Sequence, residues 1–225
     1  MQTLFVLFSF AARKVGKFYR LLMRNAFHYL SLYDSSPKKI DKLIISAFLN
    51  INNLIPKNNI LLKSYFITED NTQEYTSLIE FINILKEEKE NFSFEELIEI
   101  FEFVISPADR VVNGAIYTPK NIREYIINEA FHRKPVVSDS IKISDVACGC
   151  GGFLFNTALF LKEKLGLSFS YIFENNIFGV DIQEYSITRT KLLLSLLAIH
   201  AGEDEVNFKF NLYQGDSLEF DWKSK

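Results

Sequence analysis

The feature that most constrains the fold is a glycine-rich turn, DVACGCGG, at residues 145–152. An apolar run of β type, residues 141–147, leads into this turn, and a helical pattern follows it over residues 153–166. The three glycines permit tight turning and a close approach of the backbone to a ligand, where a Cβ atom would collide. The turn therefore predicts a strand–turn–helix unit of the kind that binds nucleotide-like ligands.

Two further strand patterns follow the turn, at residues 177–182 and 206–218, and a long helical pattern at residues 183–202 separates them. The order strand, helix, strand, helix, strand predicts a parallel, doubly wound sheet of the α/β class. The earlier part of the chain shows helical spacing and no strand pattern. We therefore expect a helical N-terminal domain at residues 1–110 and an α/β domain at residues 111–225.

The N-terminal part carries local signals of helices and an uneven charge. Ser93 followed by Glu96 predicts a capping box at the start of one helix. Residues 1–12 are apolar but too short to span a bilayer, and basic residues follow them, so we expect a buried helix and no membrane anchor. Residues 1–63 carry a net charge of +8 and residues 64–109 one of −10. This asymmetry predicts either two solvated helical faces or a basic surface that meets nucleic acid or a partner subunit.

The chain has two cysteines, Cys148 and Cys150, which are too few for a disulfide framework or a four-ligand metal site. No signal peptide is evident, so a reducing cytoplasm is the expected compartment. The three histidines, His28, His132 and His200, lie far apart without the spacing of metal ligands, and we expect them to have surface or packing roles. The sequence therefore predicts no metal site.

An acidic residue stands at the end of each predicted strand. Asp145 precedes the glycines and is placed to hold loop amides or a ligand ammonium, which favours a cationic ligand such as S-adenosylmethionine over a pyrophosphate. Asp181, 36 residues further on, ends the second strand and can accept both hydroxyls of a ribose. Dinucleotide enzymes place their acidic residue about 20 residues after a differently spaced glycine motif. Asp216 can accept a hydrogen bond from the amine of adenine, or it can simply cap the next turn.

Four blocks of the sequence resemble, in order, those of a known family: GAIYTP (114–119), DVACGCGGFL (145–154), IFGVDIQEYSITRTKLLLSL (177–196) and GDSL (215–218). The family is that of the N6-adenine DNA methyltransferases, in the branch that includes modification subunits of type I restriction systems and fused type II enzymes. The match covers half of the chain. It implies a Rossmann-like methyltransferase domain after the helical domain, with S-adenosylmethionine as methyl donor.

The resemblance also implies a set of cofactor contacts. Residues 117–119 would flank the methionine end, the glycine turn would surround it, and the strand-end acids would hold the ribose and adenine. The full implied set is Tyr117, Thr118, Pro119, Asp145, Ala147, Gly149, Gly151, Phe153, Asp181, Ile182, Asp216 and Ser217. Val146 stands where the family has proline and Cys150 where it has serine or threonine, and we expect the backbone of the turn to tolerate both changes.

The family's catalytic block, Asn/Asp-Pro-Pro-Tyr/Phe, is absent from the sequence, because none of the five prolines follows Asn or Asp and no Pro-Pro pair exists. In the family this block binds the target amine, and its aromatic ring stacks on a flipped base. We therefore expect no catalytic residue in this chain, a truncated domain with the first three strands, and no methylation of DNA by the chain alone. The implied partners are DNA in the full-length enzyme, a specificity or restriction subunit, or a C-terminal half supplied separately.

Two other functions stay open. A methyltransferase of the same fold could act on a protein glutamine or a small molecule, although the helical N-terminal domain and the YTP block favour DNA. The chain could also be a non-catalytic subunit that binds the cofactor or only a partner. Stabilisation by S-adenosylmethionine would separate a cofactor-binding chain from one that binds only a partner.

Overall fold

The protein is described by a computed structural model, which places residues 23–104, 118–133 and 137–222. The predicted helix at residues 1–12 and Tyr117 lie outside these described residues. In chain order the elements are α1 (Arg24–Tyr33), α2 (Pro37–Ile51), α3 (Ile60–Ser64), α4 (Thr72–Glu88), α5 (Phe94–Phe103), α6 (Lys120–His132), β1 (Ile143–Asp145), α7 (Gly152–Leu165), α8 (Phe169–Asn175), β2 (Ile177–Asp181), α9 (Glu184–His200) and β3 (Asn211–Gln214).

The described residues form two compact units. The helical unit comprises residues 23–53, 66–104 and 118–122. The sheet unit comprises residues 54–65, 123–133 and 137–222. The predicted domain boundary at residue 110 lies outside the described residues and stays a prediction. No local pattern in the sequence indicated that residues 54–65 belong with the sheet.

The helical unit is built around buried aromatic and aliphatic side chains, among them Phe48, Phe81 and Phe101, which are at most 1% exposed. The predicted capping box is confirmed: the Ser93 hydroxyl accepts a hydrogen bond from the Glu96 N–H, and the Glu96 carboxylate accepts one from the Ser93 N–H. Such reciprocal bonds satisfy two of the N–H groups that a helix start leaves open.

Ion pairs join charged side chains within the helical unit. Lys42 of the basic segment forms an ion pair with Glu74 of the acidic segment, with Nζ and Oε2 2.6 Å apart. Lys39 pairs with Asp34 at 2.9 Å. Only the first of these pairs joins the basic and acidic segments, and both predictions for them, solvated faces or a basic binding surface, stay open.

The sheet unit contains a three-stranded parallel sheet in the order β1-β2-β3. Asp145 at the end of β1 is in register with Gly179, and Asp181 at the end of β2 is in register with Gln214. The predicted α/β class, with helices first and three parallel strands after them, is therefore confirmed. The carboxyl ends of all three strands lie at one edge of the sheet, where open α/β sheets bind ligands.

Each strand is shorter than predicted, and for β3 a contact of the preceding segment explains part of the difference. β3 begins at Asn211 and not at residue 206, since the Val206 carbonyl accepts a hydrogen bond from the N–H of Ile60 in the 54–65 segment. Helix α8 was not predicted. It begins after Ser168, whose hydroxyl accepts a hydrogen bond from the Tyr171 N–H at 3.1 Å. The aromatic residues of α8 are weak helix formers, so local pattern gave little indication of it.

Packing at the centre of the sheet requires a glycine. A Cβ on Gly179 of β2 would lie 2.7 Å from Leu212 Cδ2 and 2.9 Å from Leu154 Cδ1. Leu212 is on β3 and Leu154 is on α7, so side chains from a strand and from a helix both pack against Gly179 and leave no room for a Cβ.

The predicted end of α7 is confirmed, since Gly166 follows it in the left-handed conformation with φ +68°.

Candidate cofactor site

Asp181 connects three loops at the carboxyl edge of the sheet. Its Oδ2 accepts a hydrogen bond from the Gly149 N–H at 2.9 Å, and its Oδ1 accepts one from the Gln183 N–H at 2.9 Å. Its backbone carbonyl accepts from the Gly215 N–H at 3.0 Å. One residue at the end of the central strand therefore holds the glycine turn, the start of α9 and the loop after β3.

The conformation of the turn depends on glycine at two positions. Gly149 has φ +52° and Gly151 has φ +87°, a region that L side chains rarely adopt. A Cβ on Gly151 would also lie 2.7 Å from Thr190 Cγ2. The Thr190 hydroxyl is 3.0 Å from the Gly149 carbonyl and 2.9 Å from the Ser186 carbonyl, so its single proton is shared between these acceptors. Thr190 of α9 thus buttresses the turn, a role that the sequence analysis missed.

Asp145 is half-buried at the end of β1, and its Oδ1 accepts a hydrogen bond from the Ala147 N–H at 3.2 Å. Burial raises the pKa of the Asp145 carboxyl, and the negative charge of Asp181 raises it further, while the Ala147 N–H opposes the shift. Two carboxylates that repel each other across the turn favour a positively charged ligand. The predicted loop-holding role is thus divided between Asp145 and Asp181.

The two cysteines of the turn are buried free thiols. The Cys148 N–H donates to the Val180 carbonyl at 3.0 Å, and the Cys148 carbonyl accepts from the Gly151 N–H at 2.9 Å. Burial raises the pKa of Cys148, and the charges of Asp145 and Asp181 act in the same direction, so this thiol is protonated at neutral pH. Within the described residues, no three His, Cys, Asp or Glu side chains are grouped to hold a metal ion.

A buried arginine lies directly behind the turn. Arg123 of α6 is 1% exposed, and its Nε donates to Oδ1 of the buried Asn156 of α7 at 2.8 Å. A Cβ on Gly152 would lie 3.3 Å from both Cδ and Nε of Arg123. Arg123 was not among the predicted site residues, and an arginine at a buried position of a helix is unusual.

The remaining predicted residues lie at the rim of the site or in the other unit. Ile182 is 53% exposed directly after β2. Asp216 is exposed, and its Oδ1 accepts from the Leu218 N–H at 3.0 Å, so it caps the turn after β3. Thr118 and Pro119 belong to the helical unit and directly precede α6. Ala147 is exposed, while Phe153 and Ser217 are half-buried.

A separate cavity of about 200 Å³ lies elsewhere in the sheet unit. Its walls come from α3, α9 and the segment before β3, and they include Asn59, Lys191, Ser195 and Phe208. None of the predicted cofactor residues lines it, so it is not the site formed at the strand ends.

Among the described helices, none has the length and apolar character needed to cross a membrane.

A parallel sheet with a left-handed glycine turn after its first strand and acids at its strand ends is an arrangement with which α/β domains bind nucleotide-like ligands. The sequence model of the N-6 DNA methylase family matches residues 93–225, more than half of the chain. The chain therefore belongs to the N-6 DNA methylase family.

Comparison with solved structures supports the fold. The cryo-EM structure of a DrdV–DNA complex superposes with a TM-score of 0.50 at 15% sequence identity. The match covers 95% of this chain and 24% of the DrdV chain, so this chain spans about a quarter of its structural relative. A search of curated proteins gave no match.

Proposed function

We propose that the sheet unit binds S-adenosylmethionine as the methyl donor of an adenine-N6 DNA methyltransferase in a restriction–modification system. Membership of the N-6 DNA methylase family supports this proposal, and so does the likeness to a protein whose structure was solved as a complex with DNA. The observation that carries it is the network of Asp181, whose carboxylate binds the glycine turn and the start of α9 and whose backbone carbonyl binds the loop after β3.

In this proposal, residues at the ends of β1, β2 and β3 each contact a different part of S-adenosylmethionine. The negative charges of Asp145 and Asp181 suit a ligand that carries a sulfonium and an ammonium group, because opposite charges relieve the repulsion between them. Each oxygen of the Asp181 carboxylate accepts one backbone N–H, and each can accept a second bond from a ribose hydroxyl. The exposed side chain of Ile182 would cover one face of the adenine ring, and Asp216 would accept from its amine.

Methyl transfer to an adenine amine requires acceptors that orient the nitrogen, and the family's Asn/Asp-Pro-Pro-aromatic block is not among these 225 residues. We propose that this chain by itself binds the cofactor and does not methylate DNA. DNA, a specificity or restriction subunit, and a separately supplied catalytic half are its proposed partners. The cytoplasm, where the free thiols of the turn would stay reduced, is its proposed compartment.

Calorimetric titration with S-adenosylmethionine and with S-adenosylhomocysteine tests the cofactor proposal. We expect one binding event per chain and a rise in the unfolding temperature, since a ligand at a hundred times its Kd stabilises a protein by about 2.7 kcal/mol. Nicotinamide adenine dinucleotide serves as the control ligand and should not bind, because its pyrophosphate would meet the two carboxylates. Absence of binding to a folded chain would refute the proposal.

An acceptor assay tests the second part of the proposal. The chain is incubated with methyl-labelled S-adenosylmethionine and with duplex DNA, a glutamine-containing peptide mixture, or neither. We expect no transfer of label to any acceptor. Label in DNA would show that the chain is catalytically complete, and label in the peptides would favour the protein glutamine methyltransferase alternative.

A further inference from the structure

Arg123 is a fully buried cation at a place where ordinary helix packing does not require one. Its side chain is 1% exposed, and its Nε donates to Asn156 Oδ1 at 2.8 Å. Asn156 is itself buried on α7, one helical turn after Gly152. A buried charge is tolerated only when it is hydrogen-bonded, and an apolar side chain of similar volume often gives an equally stable or more stable fold.

The fit between Arg123 and Gly152 is close. A Cβ on Gly152 would lie 3.3 Å from Cδ and Nε of Arg123 and 3.4 Å from its Cζ, distances tighter than most carbon contacts. The backbone at the start of α7 therefore rests directly on the arginine side chain. Residue 152 is small because Arg123 occupies the space that a side chain would need.

The dipole of α7 by itself gives no reason for a cation at this position. The N-terminus of a helix carries a partial positive charge and prefers anions to cations. Arg123 packs against the first residue of α7, at its positive end. Unlike an apolar side chain, the guanidinium is planar and donates hydrogen bonds in fixed directions, so it can fix α7 to α6 in a single arrangement.

We propose that Arg123 is a positioning residue for the cofactor turn. It holds Gly152 and Asn156 against α6, and through Gly152 it fixes the left-handed Gly151 and the backbone N–H groups of the turn. Arg123 acts through the turn and does not itself touch the cofactor. Its effect on cofactor affinity rests on the proposed function, whereas its effect on the turn itself does not.

Hydrogen exchange of the ligand-free protein tests the effect on the turn. In Arg123→Met, which keeps most of the stem and removes the guanidinium, we expect the backbone amides of residues 149–153 to exchange at least tenfold faster than in the wild type. The amides of residues 158–162 in the same helix are the internal reference and should change less. Arg133→Met, the same change at an exposed arginine just after α6, is the matched control. Unchanged exchange at residues 149–153 in Arg123→Met would overturn the proposal.

Cofactor affinity gives the second measurement. Arg123→Met and Asn156→Ala should each weaken binding of S-adenosylmethionine about tenfold, as expected when a hydrogen bond to a charged group is lost. The double variant should bind no more weakly than Arg123→Met alone, because both changes remove the same contact. Leu161→Ala, a change at a fully buried position nine residues after Gly152 on α7, should lower stability and still bind as the wild type does.

The two measurements separate the two proposals. If the wild type does not bind S-adenosylmethionine, the proposed function fails and the exchange experiment alone decides the role of Arg123. If Arg123→Met does not fold, Arg123→Lys and Asn156→Gln replace it, and both should loosen the turn because neither restores the Nε–Oδ1 geometry. The positioning role would be overturned if the turn amides of both variants exchanged at the wild-type rate. It would also be overturned if the wild type binds S-adenosylmethionine and both variants bind it with an affinity within twofold of the wild-type value.

Discussion

The carboxylate of Asp181 accepts a hydrogen bond from the backbone N–H of Gly149 at 2.9 Å, across 32 positions of the sequence. The end of β2 thus holds the turn that follows β1, and the carbonyl of the same aspartate holds the loop that follows β3. An acidic residue at this strand end can therefore hold the loops of the protein in place even when no ligand is bound. The shape of the turn and the proposed contact with a ribose therefore depend on one side chain.

Asp181→Asn should bind S-adenosylmethionine at least tenfold more weakly than the wild type. The amide keeps the size of the carboxylate but loses its charge and half of its acceptor capacity, and a hydrogen bond to a charged group contributes about 1.5–3 kcal/mol. Calorimetric titration measures the affinity. Glu184→Gln, an equal charge change at an exposed position of α9, is the control, and a similar loss in both variants would attribute the effect to net charge.

The strand-end acids and the glycines could be predicted because their signals are local. Asp145 and Gly149 lie in one short block, and Asp181 follows a β-type run directly. The side chains that support them could not be predicted. Thr190 reaches the turn from α9 and Arg123 from α6, and a single sequence does not indicate which residues of a distant helix face a given loop.

The same limit explains the missed position of residues 54–65. The structure shows that Asp204 binds this segment through three backbone N–H groups, those of Lys57, Asn58 and Asn59. An aspartate that accepts bonds from a segment almost 150 positions earlier leaves no local pattern. The helical and α/β parts, in contrast, were predictable because periodicity is a property of neighbouring residues.

Asp204→Ala should detach the 54–65 segment from the sheet unit. Three backbone N–H groups at 2.7–2.9 Å lose their acceptor, and we expect a loss of about 1–3 kcal/mol in the free energy of unfolding. Urea unfolding measures the stability, and the rate of tryptic cleavage after the exposed Lys57 measures local detachment. Glu205→Ala, next in sequence and with an exposed side chain, should leave both unchanged. Equal cleavage rates in the two variants would contradict the prediction.

Asp145→Asn should flatten the dependence of stability on pH. Burial raises the pKa of Asp145 above its ordinary value of 3.8, so the folded protein binds this proton more tightly than the unfolded chain does. The stability that this proton contributes is present below pH 3.8 and is lost as the pH rises through the folded-state pKa. At pH 7 the asparagine variant, which still accepts from the Ala147 N–H, should be at least as stable as the wild type.

The measurement for Asp145 is urea unfolding of both proteins from pH 4 to pH 7. The difference in stability between variant and wild type should grow with pH and then level off. Binding of S-adenosylmethionine at pH 7 should be weaker in the variant, because a negative charge facing the cationic ligand is lost. A variant that is less stable at pH 7 with an unchanged pH profile would show that the carboxylate is stabilising.

Gly151→Ala tests whether the turn needs glycine for its backbone conformation, for space, or for both. Gly202 provides the comparison: its φ of +86° nearly equals the +87° of Gly151, yet nothing lies within 4 Å of a Cβ placed there. Gly202→Ala should therefore cost only the left-handed conformation, about 1–2 kcal/mol. Gly151→Ala should cost a further 1–3 kcal/mol or so, because its Cβ would lie 2.7 Å from Thr190 Cγ2.

A second change identifies the source of the additional cost. Thr190→Ser removes Cγ2 and keeps the hydroxyl that bonds the Gly149 carbonyl, so in the Gly151→Ala background it should recover part of the lost stability. In the Gly202→Ala background the same change should recover nothing, because Gly202 does not contact Thr190. Unfolding free energies of the single and double variants give the coupling directly. Equal costs at Gly151 and Gly202, with no rescue by Thr190→Ser, would mean that the turn adjusts to a Cβ and that α9 does not define its shape.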